Sequence, residues 1–272
     1  MAKKLYSKGI EFSPDTNVKT VGGDLGNMTL AQNFWYGKNA VFFGDSITFG
    51  VGTTKKYQEY LKEWLGIGNT TYAFAGHKWS DLYTKAQAAI ADGNSYDAVF
   101  IFYGTNDFND NIPIGEWYSV TEEAVNKNGQ TVTLKKRTMT DTTTTMKGNI
   151  NRAMALLKAN YPKAKIIVMT PLHRGYANFA SNNVQPDERY ANTLGLWIDD
   201  YVDAIKEVGK VWSVEVIDLF SNTGIYPMVT ENDALYFNGG NDNLHPNAKG
   251  HEVIARCIAN KLVGISAPMV VE

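Results

Sequence analysis

Apolar positions along this chain fall into short runs separated by stretches of helical spacing. Residues 39–43, 70–75, 98–103, 165–170 and 214–219 read as strands. The third run is apolar at nearly every position, as expected of a strand buried on both faces of a parallel sheet. Between the runs, Tyr57, Tyr60, Leu61, Trp64 and Leu65 recur at intervals of three and four, which predicts a helix over 53–65. Further helices are predicted over 79–91, stopped by Asp92-Gly93; over 146–160, stopped ahead of Pro162; over 186–208, ending at Gly209; and over 247–262. Strands that alternate with helices predict an α/β fold: a three-layer α/β/α sandwich on a five-stranded, mostly parallel, flavodoxin-like sheet. Crossovers should be right-handed, and ligands should bind beyond the carboxyl ends of the strands.

Two segments depart from the alternation. Residues 1–37 read as a polar arm with no clear period. After the third strand, 120–124 and 131–136 alternate around Asn126-Lys127-Asn128-Gly129, which predicts a β-hairpin insertion over about 112–140. It leaves the sheet just after Asn106-Asp107, so it is expected at the rim of any site built there. The whole chain, 1–272, is read as one domain carrying this arm and this insertion.

Composition narrows the function classes. Hydrophobic residues make up 44% and charged ones 20%, the proportions of an ordinary globular protein. A net charge of -2 offers no nucleic-acid surface, and no apolar run approaches the eighteen or so residues of a membrane span. Cys257 is the single cysteine, so an internal disulfide is excluded and no cysteine metal-binding spacing exists. It reads as a small core residue. His251 lies six residues after His245, near the opposite side of a helix, which argues against a shared metal. The start, Met1-Ala2-Lys3-Lys4, lacks the apolar stretch of a signal peptide. That fits a cytoplasmic protein, or an exported one whose leader lies outside this chain.

Three distant pieces carry chemistry when taken together: Gly44-Asp45-Ser46-Ile47-Thr48, Gly104-Thr105-Asn106-Asp107 and Asp242-Asn243-Leu244-His245-Pro246. A serine hydroxyl needs a base to take its proton, the base needs a third group to orient it, and the resulting oxyanion needs preorganised donors. Ser46, His245, Asp242 and the Asn106 amide supply those parts. Asp242 and His245 are three apart, so one turn can bring both side chains to the same side. Pro246 suits the first position of a following helix, which would set His245 at that helix's positive end. Asp45 is read as fixing the turn around Ser46, Asp107 as bracing its loop, and Asp218 as a local cap. His77 and His173 read as loop histidines.

In these blocks the chain resembles the GDSL, or SGNH, hydrolase family of esterases and acylhydrolases, over most of residues 39–263. The first block corresponds to Gly44–Thr48, extended through Gly52; the second to Ala75-Gly76; the third to Gly104–Asp107; the last to Asp242–Pro246. The resemblance implies the SGNH hydrolase fold, with Ser46 as nucleophile, His245 as base and Asp242 as its orienting acid. It implies an oxyanion hole made by the N–H groups of Ser46 and Gly76 and the side chain of Asn106. It implies no cofactor and no metal, and a small-molecule ester as substrate.

The family acts on lipids, acyl-thioesters and acetylated sugars. Loops after the fourth and fifth strands carry Tyr176, Phe179, Tyr226, Tyr236 and Phe237 among several asparagines. These suit a small acyl group such as acetyl on a polar or carbohydrate alcohol, with His77, Tyr176 and Phe237 as candidate substrate contacts. A lipase, lysophospholipase or thioesterase of the same family is an alternative. So is a non-catalytic ligand-binding protein on the same fold, which the complete set of polar residues disfavours. A nucleotide binder using Gly50-Val51-Gly52 is disfavoured by the lack of a G-x-G-x-x-G or Walker pattern.

Overall fold

The computed structural model describes residues 34–265, together with short strand segments at Leu5–Ser7, Ile10–Phe12, Lys19–Thr20 and Thr29–Leu30. The remainder of the expected polar arm lies outside the described residues. From Asn39 the chain runs β1 (Asn39–Gly44), α1 (Ser46–Phe49), α2 (Tyr57–Leu65), β2 (Gly68–Ala73), α3 (Trp79–Ala91), β3 (Ala98–Phe102), α4 (Thr105–Asn109), β4 (Tyr118–Lys127), β5 (Gln130–Met139), α5 (Met146–Asn160), β6 (Lys165–Met169), β7 (Ala177–Ala180), β8 (Asn183–Gln185), α6 (Ile198–Trp212), β9 (Glu215–Ile217), α7 (Leu219–Asn222), α8 (Thr230–Tyr236), β10 (Phe237–Gly239), β11 (Asp242–Pro246) and α9 (Ala248–Val263).

β1, β2, β3, β6 and β9 form the central sheet, in the order β9-β6-β3-β1-β2, and all its pairings are parallel. Taken by rank along the chain, this is the doubly wound order 2-1-3-4-5, which reverses at β1. The inner strands are apolar because they are covered twice: all five residues of β3 are buried, as are Val41, Phe42 and Phe43. On one face, Val41, Phe43, Val99 and Ile101 pack against Trp79 and Leu82 of α3, Ile150 and Leu157 of α5, and Tyr201 and Ile205 of α6. On the other, Phe42, Phe100 and Ile167 pack against Tyr57 and Leu61 of α2 and Ile254 and Ile258 of α9. Each such fully buried Leu, Ile or Phe contributes about 1.5–3 kcal/mol relative to exposure. Phe42 and Phe100 stack with ring centroids 4.6 Å apart, tying neighbouring strands together.

Several elements differ from their sequence reading. Helix α6 begins at Ile198, not Pro186. The intervening chain first forms the β7–β8 hairpin and then a loop held by Asn192, whose side chain accepts from Leu194 N and Leu196 N and donates to Phe108 O and Tyr201 Oη. Asp200 starts the helix by accepting from Trp197 N. The helix also runs past Gly209. A Cβ there would come within 3.2 Å of Val214 O and 3.1 Å of Val216 Cγ2, so that glycine serves close packing against β9. Pro246 ends β11; the N-cap of α9 is Asn247, whose Oδ1 accepts from Lys249 N and Gly250 N.

The predicted hairpin is a longer ribbon, with ten residue pairs from Tyr118↔Met139 to Lys127↔Gln130. Asn128 and Gly129 close it, both at positive φ, as the tight two-residue hairpin turn requires. Its base is moored to the outer helices, and its lead-in is tied by Ile112 N to Asp107 O behind β3. Asn151 Nδ2 of α5 donates to Trp117 O and Thr140 O, and Trp117 Nε1 donates to Glu207 of α6. No hydrogen bond or ion pair among the described residues joins the paired strands to the side chains of the candidate site.

One element was not foreseen. A second sheet, antiparallel and four-stranded, runs in the order β8-β7-β11-β10. It stands beside the carboxyl ends of the central strands and carries Asp242 and His245.

Candidate active site

The central sheet delivers three of the sequence candidates directly. Ser46 follows β1 as the first residue of α1. Asp45 caps that helix by accepting from Ile47 N at 2.9 Å, which fixes the turn as expected. As a first-turn residue, Ser46 has a backbone N–H with no partner within its helix. Gly76 follows β2 in a turn with φ +79, a conformation open to glycine and strained for other residues, and a Cβ there would meet nothing. Asn106 follows β3 in the first turn of α4. Its Nδ2 donates to His77 O at 3.0 Å, which orients the amide and leaves its second N–H available.

Gly104 makes that approach possible. Its φ is +127, and a Cβ would collide with Ile205 Cδ1 at 2.7 Å and Pro171 Cγ at 2.8 Å. Asp107 reaches across to α3 and accepts from Trp79 N at 3.2 Å, bracing the loop.

The second sheet brings up the other two. His245 Nε2 lies 2.9 Å from Ser46 Oγ, and its Nδ1 lies 2.9 and 3.0 Å from the two carboxylate oxygens of Asp242. Asp242 also folds back to accept from His245 N and Leu244 N, so its carboxylate is locked before it meets the ring. Burial pushes the Asp242 carboxyl up. The hydrogen bond and charge of His245 and the two backbone N–H groups outweigh this and hold it below the usual carboxylate range. Asn238 Nδ2 donates to His245 O, fixing the backbone behind the ring. Ser46 and His245 are each 5% exposed and Asn106 is 7% exposed. The group is therefore largely shielded from water. In this arrangement the hydroxyl can give its proton to Nε2, while Nδ1–H donates to a carboxylate that stays ionised.

Around this group lie buried charges that raise the electrostatic stakes. Burial lifts the carboxyl of Asp45 to about 6 and that of Asp107 to about 7. Arg174, fully buried, donates through Nη1 to Thr105 O and Oγ1 and through Nη2 to Gln185 Oε1. Its own N–H donates to Glu188. Burial draws the guanidinium down to about 10, against the pull of Glu188 and Asp45, so it stays charged at neutral pH. Arg174 joins the residue before Asn106 to the β8 strand of the second sheet. Sequence reasoning missed it; the available signal was a lone cation directly behind the fourth strand, in Pro171-Leu172-His173-Arg174-Gly175.

The proposed substrate contacts fare unevenly. His77 reaches the site through its carbonyl on Asn106 and packs its ring 5.2 Å from Phe74. Tyr176 is exposed, and its carbonyl accepts from Asn243 N beside Asp242. Phe237 must be withdrawn: it is 3% exposed and packs in the core under α9. Phe179, one of the loop aromatics, stands at the site instead, its ring 5.2 Å from the His245 imidazole. His173 is half-buried against Glu188, Phe220 and Tyr226. His251 is fully buried and its Nδ1 accepts from Tyr57 N, a structural role. Among the described residues, no group of three or more His, Cys, Asp or Glu could hold a metal ion, and no helix is long and apolar enough to cross a membrane.

A model of the GDSL-like lipase/acylhydrolase family matches residues 42–253, well over half the chain. The chain belongs to the GDSL-like lipase/acylhydrolase family. Like the rest of that family it is a hydrolase acting on ester bonds. No curated protein matches it significantly. Among solved structures, it is similar to a protein from Lactobacillus plantarum (TM-score 0.65, 23% identity, 84% of this chain and 97% of that one). It is also similar to a possible lipase from Chitinophaga pinensis (TM-score 0.62, 20% identity, 84% and 100%). A third similar structure is an acetyl xylan esterase (TM-score 0.50, 18% identity, 82% and 99%). At these identities the similarity is one of fold: the α/β fold with its five-stranded parallel sheet belongs to this GDSL family.

Proposed function

We propose that this GDSL hydrolase is a serine esterase that works through an acyl-enzyme on small acyl groups such as acetyl, carried by a polar or carbohydrate alcohol. Ser46 Oγ attacks the acyl carbon while His245 Nε2 takes its proton. The N–H groups of Ser46 and Gly76 and the amide of Asn106 stabilise the tetrahedral oxyanion. His245 then gives the proton to the leaving alcohol. Water, deprotonated by the same ring, releases the acid and restores Ser46. Asp242 holds the tautomer and stabilises the imidazolium. The observation that carries this reading is the continuous chain Asp242–His245–Ser46, with heavy-atom separations of 2.9 Å at both links.

One observation favours a second reading for the acyl side. Phe49 and Phe74 are stacked, 6.0 Å apart, and each is about half exposed, beside the nucleophile helix and the Gly76 turn. Such a wall suits a longer acyl chain, as in a lipase or thioesterase. Hydrolysis rates over acyl lengths C2 to C12 on one alcohol separate the two. The first reading expects kcat/KM to fall beyond C4, and a maximum at C8 or longer would replace it with the second. No hydrolysis of any ester by the wild type, against a Ser46→Ala control, would remove both.

A further inference from the structure

Reaction geometry fixes where the alcohol must lie. The proton taken from Ser46 sits on His245 Nε2 and has to reach the leaving oxygen, so that oxygen must come within hydrogen-bond distance of the ring. The body of the alcohol then extends alongside the imidazole. Phe179 stands beside that ring. It is tilted 45° to the His245 ring, with centroids 5.2 Å apart, and is 41% exposed beside an otherwise buried pair. It is carried by β7, the strand next to β11, where Ala177 pairs with Asp242 and Asn178 N donates to Asn241 O. Its position relative to the dyad is thus set by backbone pairing.

The hairpin end carries polar groups beside the exposed Val184. Ser181, Asn182 and Asn183 are all exposed between β7 and the end of β8. An open aromatic face next to hydroxyl and amide groups matches a ring that has a C–H face and equatorial hydroxyls. Phe49 ends the nucleophile helix α1 and Phe74 follows β2 just ahead of the Gly76 turn, so both are carried by segments that leave the central sheet. The two aromatic features therefore belong to different halves of the site.

Resting on the esterase reading above, we infer that the β7–β8 hairpin is the alcohol subsite and that Phe179 determines specificity there by stacking on a sugar or similar polyol ring. Phe179 contributes to binding of the leaving group and leaves acyl preference untouched.

The test compares wild type, Phe179→Ala and Phe179→Trp on two esters with the same acyl group, ethyl acetate and an acetylated methyl xyloside, plus a C2-to-C8 series on one small alcohol. Phe179→Ala should raise KM for the xyloside ester about tenfold, the scale of one lost aromatic stacking contact. Its loss of kcat/KM on ethyl acetate should be at least about fivefold smaller than on the xyloside ester, and the maximum of its chain-length profile should not move. Phe179→Trp should restore most of the xyloside affinity. An equal loss on both esters would overturn the inference by showing that Phe179 supports His245. A changed chain-length profile would place it on the acyl side, and unchanged kinetics on both esters would remove it from the substrate. A wild type active on ethyl acetate but not on the xyloside ester would reject the sugar-like alcohol alone. A wild type inactive on every ester would instead reject the esterase reading, and this inference with it.

Discussion

The two sheets that meet at the site differ in almost every respect. The central sheet is parallel and regular, its inner strands are buried on both faces, and it places Ser46, Gly76 and Asn106 at the ends of three adjacent strands. The second sheet is antiparallel, built of strands three to five residues long with register shifts at Asn178/Ala180 and Phe237/Gly239, and it carries Asp242 and His245. The proposed nucleophile and oxyanion donors sit on the rigid half, the proposed acid and base on the irregular half. Chemistry of the kind proposed needs a proton passed across 2.9 Å between halves. What holds the halves in register therefore matters as much as either set of side chains.

The sharpest way to break the comparison is to remove one member from each half. Ser46→Ala and His245→Ala should each lower kcat by roughly 10³-fold or more, and the double variant should be little worse, because residues acting as a unit do not add. Multiplicative losses in the double variant would mean that the halves work independently. Asn106→Ala should reduce kcat by about 10²-fold or more with little change in KM, since its amide would serve only the transition state; an unchanged kcat would leave it as a loop residue.

Next in size is the link itself. Replacing Arg174 with Ala removes the tie from Thr105 to Gln185. It should lower kcat by about 10-fold while KM on a minimal acetyl ester moves less than threefold, the pattern of a displaced oxyanion donor. Added guanidinium should recover part of the rate in a variant shown by circular dichroism to be folded. A rise in KM alone would confine Arg174 to shaping the hairpin.

The smallest effect belongs to the β4–β5 ribbon. Substituting a short Gly-Ser linker for residues 118–139 should leave kinetics on every ester within about twofold. Its moorings lie on α5 and α6, and closing a surface loop costs little extra entropy with length. A larger change on bulky esters would return the ribbon to the substrate.

The same contrast explains what could be read in the sequence. β3 and β6 announce themselves by unbroken apolar runs, and α3 and α5 by apolar spacing with clear stops, because burial on a regular element leaves a period. The GDSL-type blocks were legible because the turn after each strand needs particular small or polar residues, as Gly104 does where a Cβ would strike Ile205 and Pro171. β7, β8, β10 and β11 are too short for a period to emerge, and the pairing that joins their two hairpins into one sheet, Ala177 with Asp242, links segments far apart in the chain. Phe237 was misread for this reason: without the sheet there was no way to see that its side chain turns into the core while that of Phe179 stays exposed. Arg174 left only a faint signal, a lone cation behind the fourth strand, because Thr105, the partner that ties it to the Asn106 turn, lies 69 residues away.

His251 carries a consequence of another kind. It lies in the core below α2, stacked on Tyr57 with its Nδ1 accepting from Tyr57 N, and burial, helped by the charges of His245 and Lys56, depresses its proton affinity to about 3. The unfolded chain would protonate the same ring at its ordinary value near 6.5, so between pH 6.5 and 3 the unfolded state holds the extra proton. The stabilisation from burying the neutral ring is complete above pH 6.5. It then drains away with acidification, by up to about 1.4 kcal/mol per pH unit. One imidazole with no proposed part in the chemistry thus sets an acid limit on the fold. Thermal unfolding of His251→Asn, which keeps an acceptor for Tyr57 N, should show a flatter fall in Tm from pH 7 to pH 4.5 than the wild type; parallel curves would relieve His251 of that role.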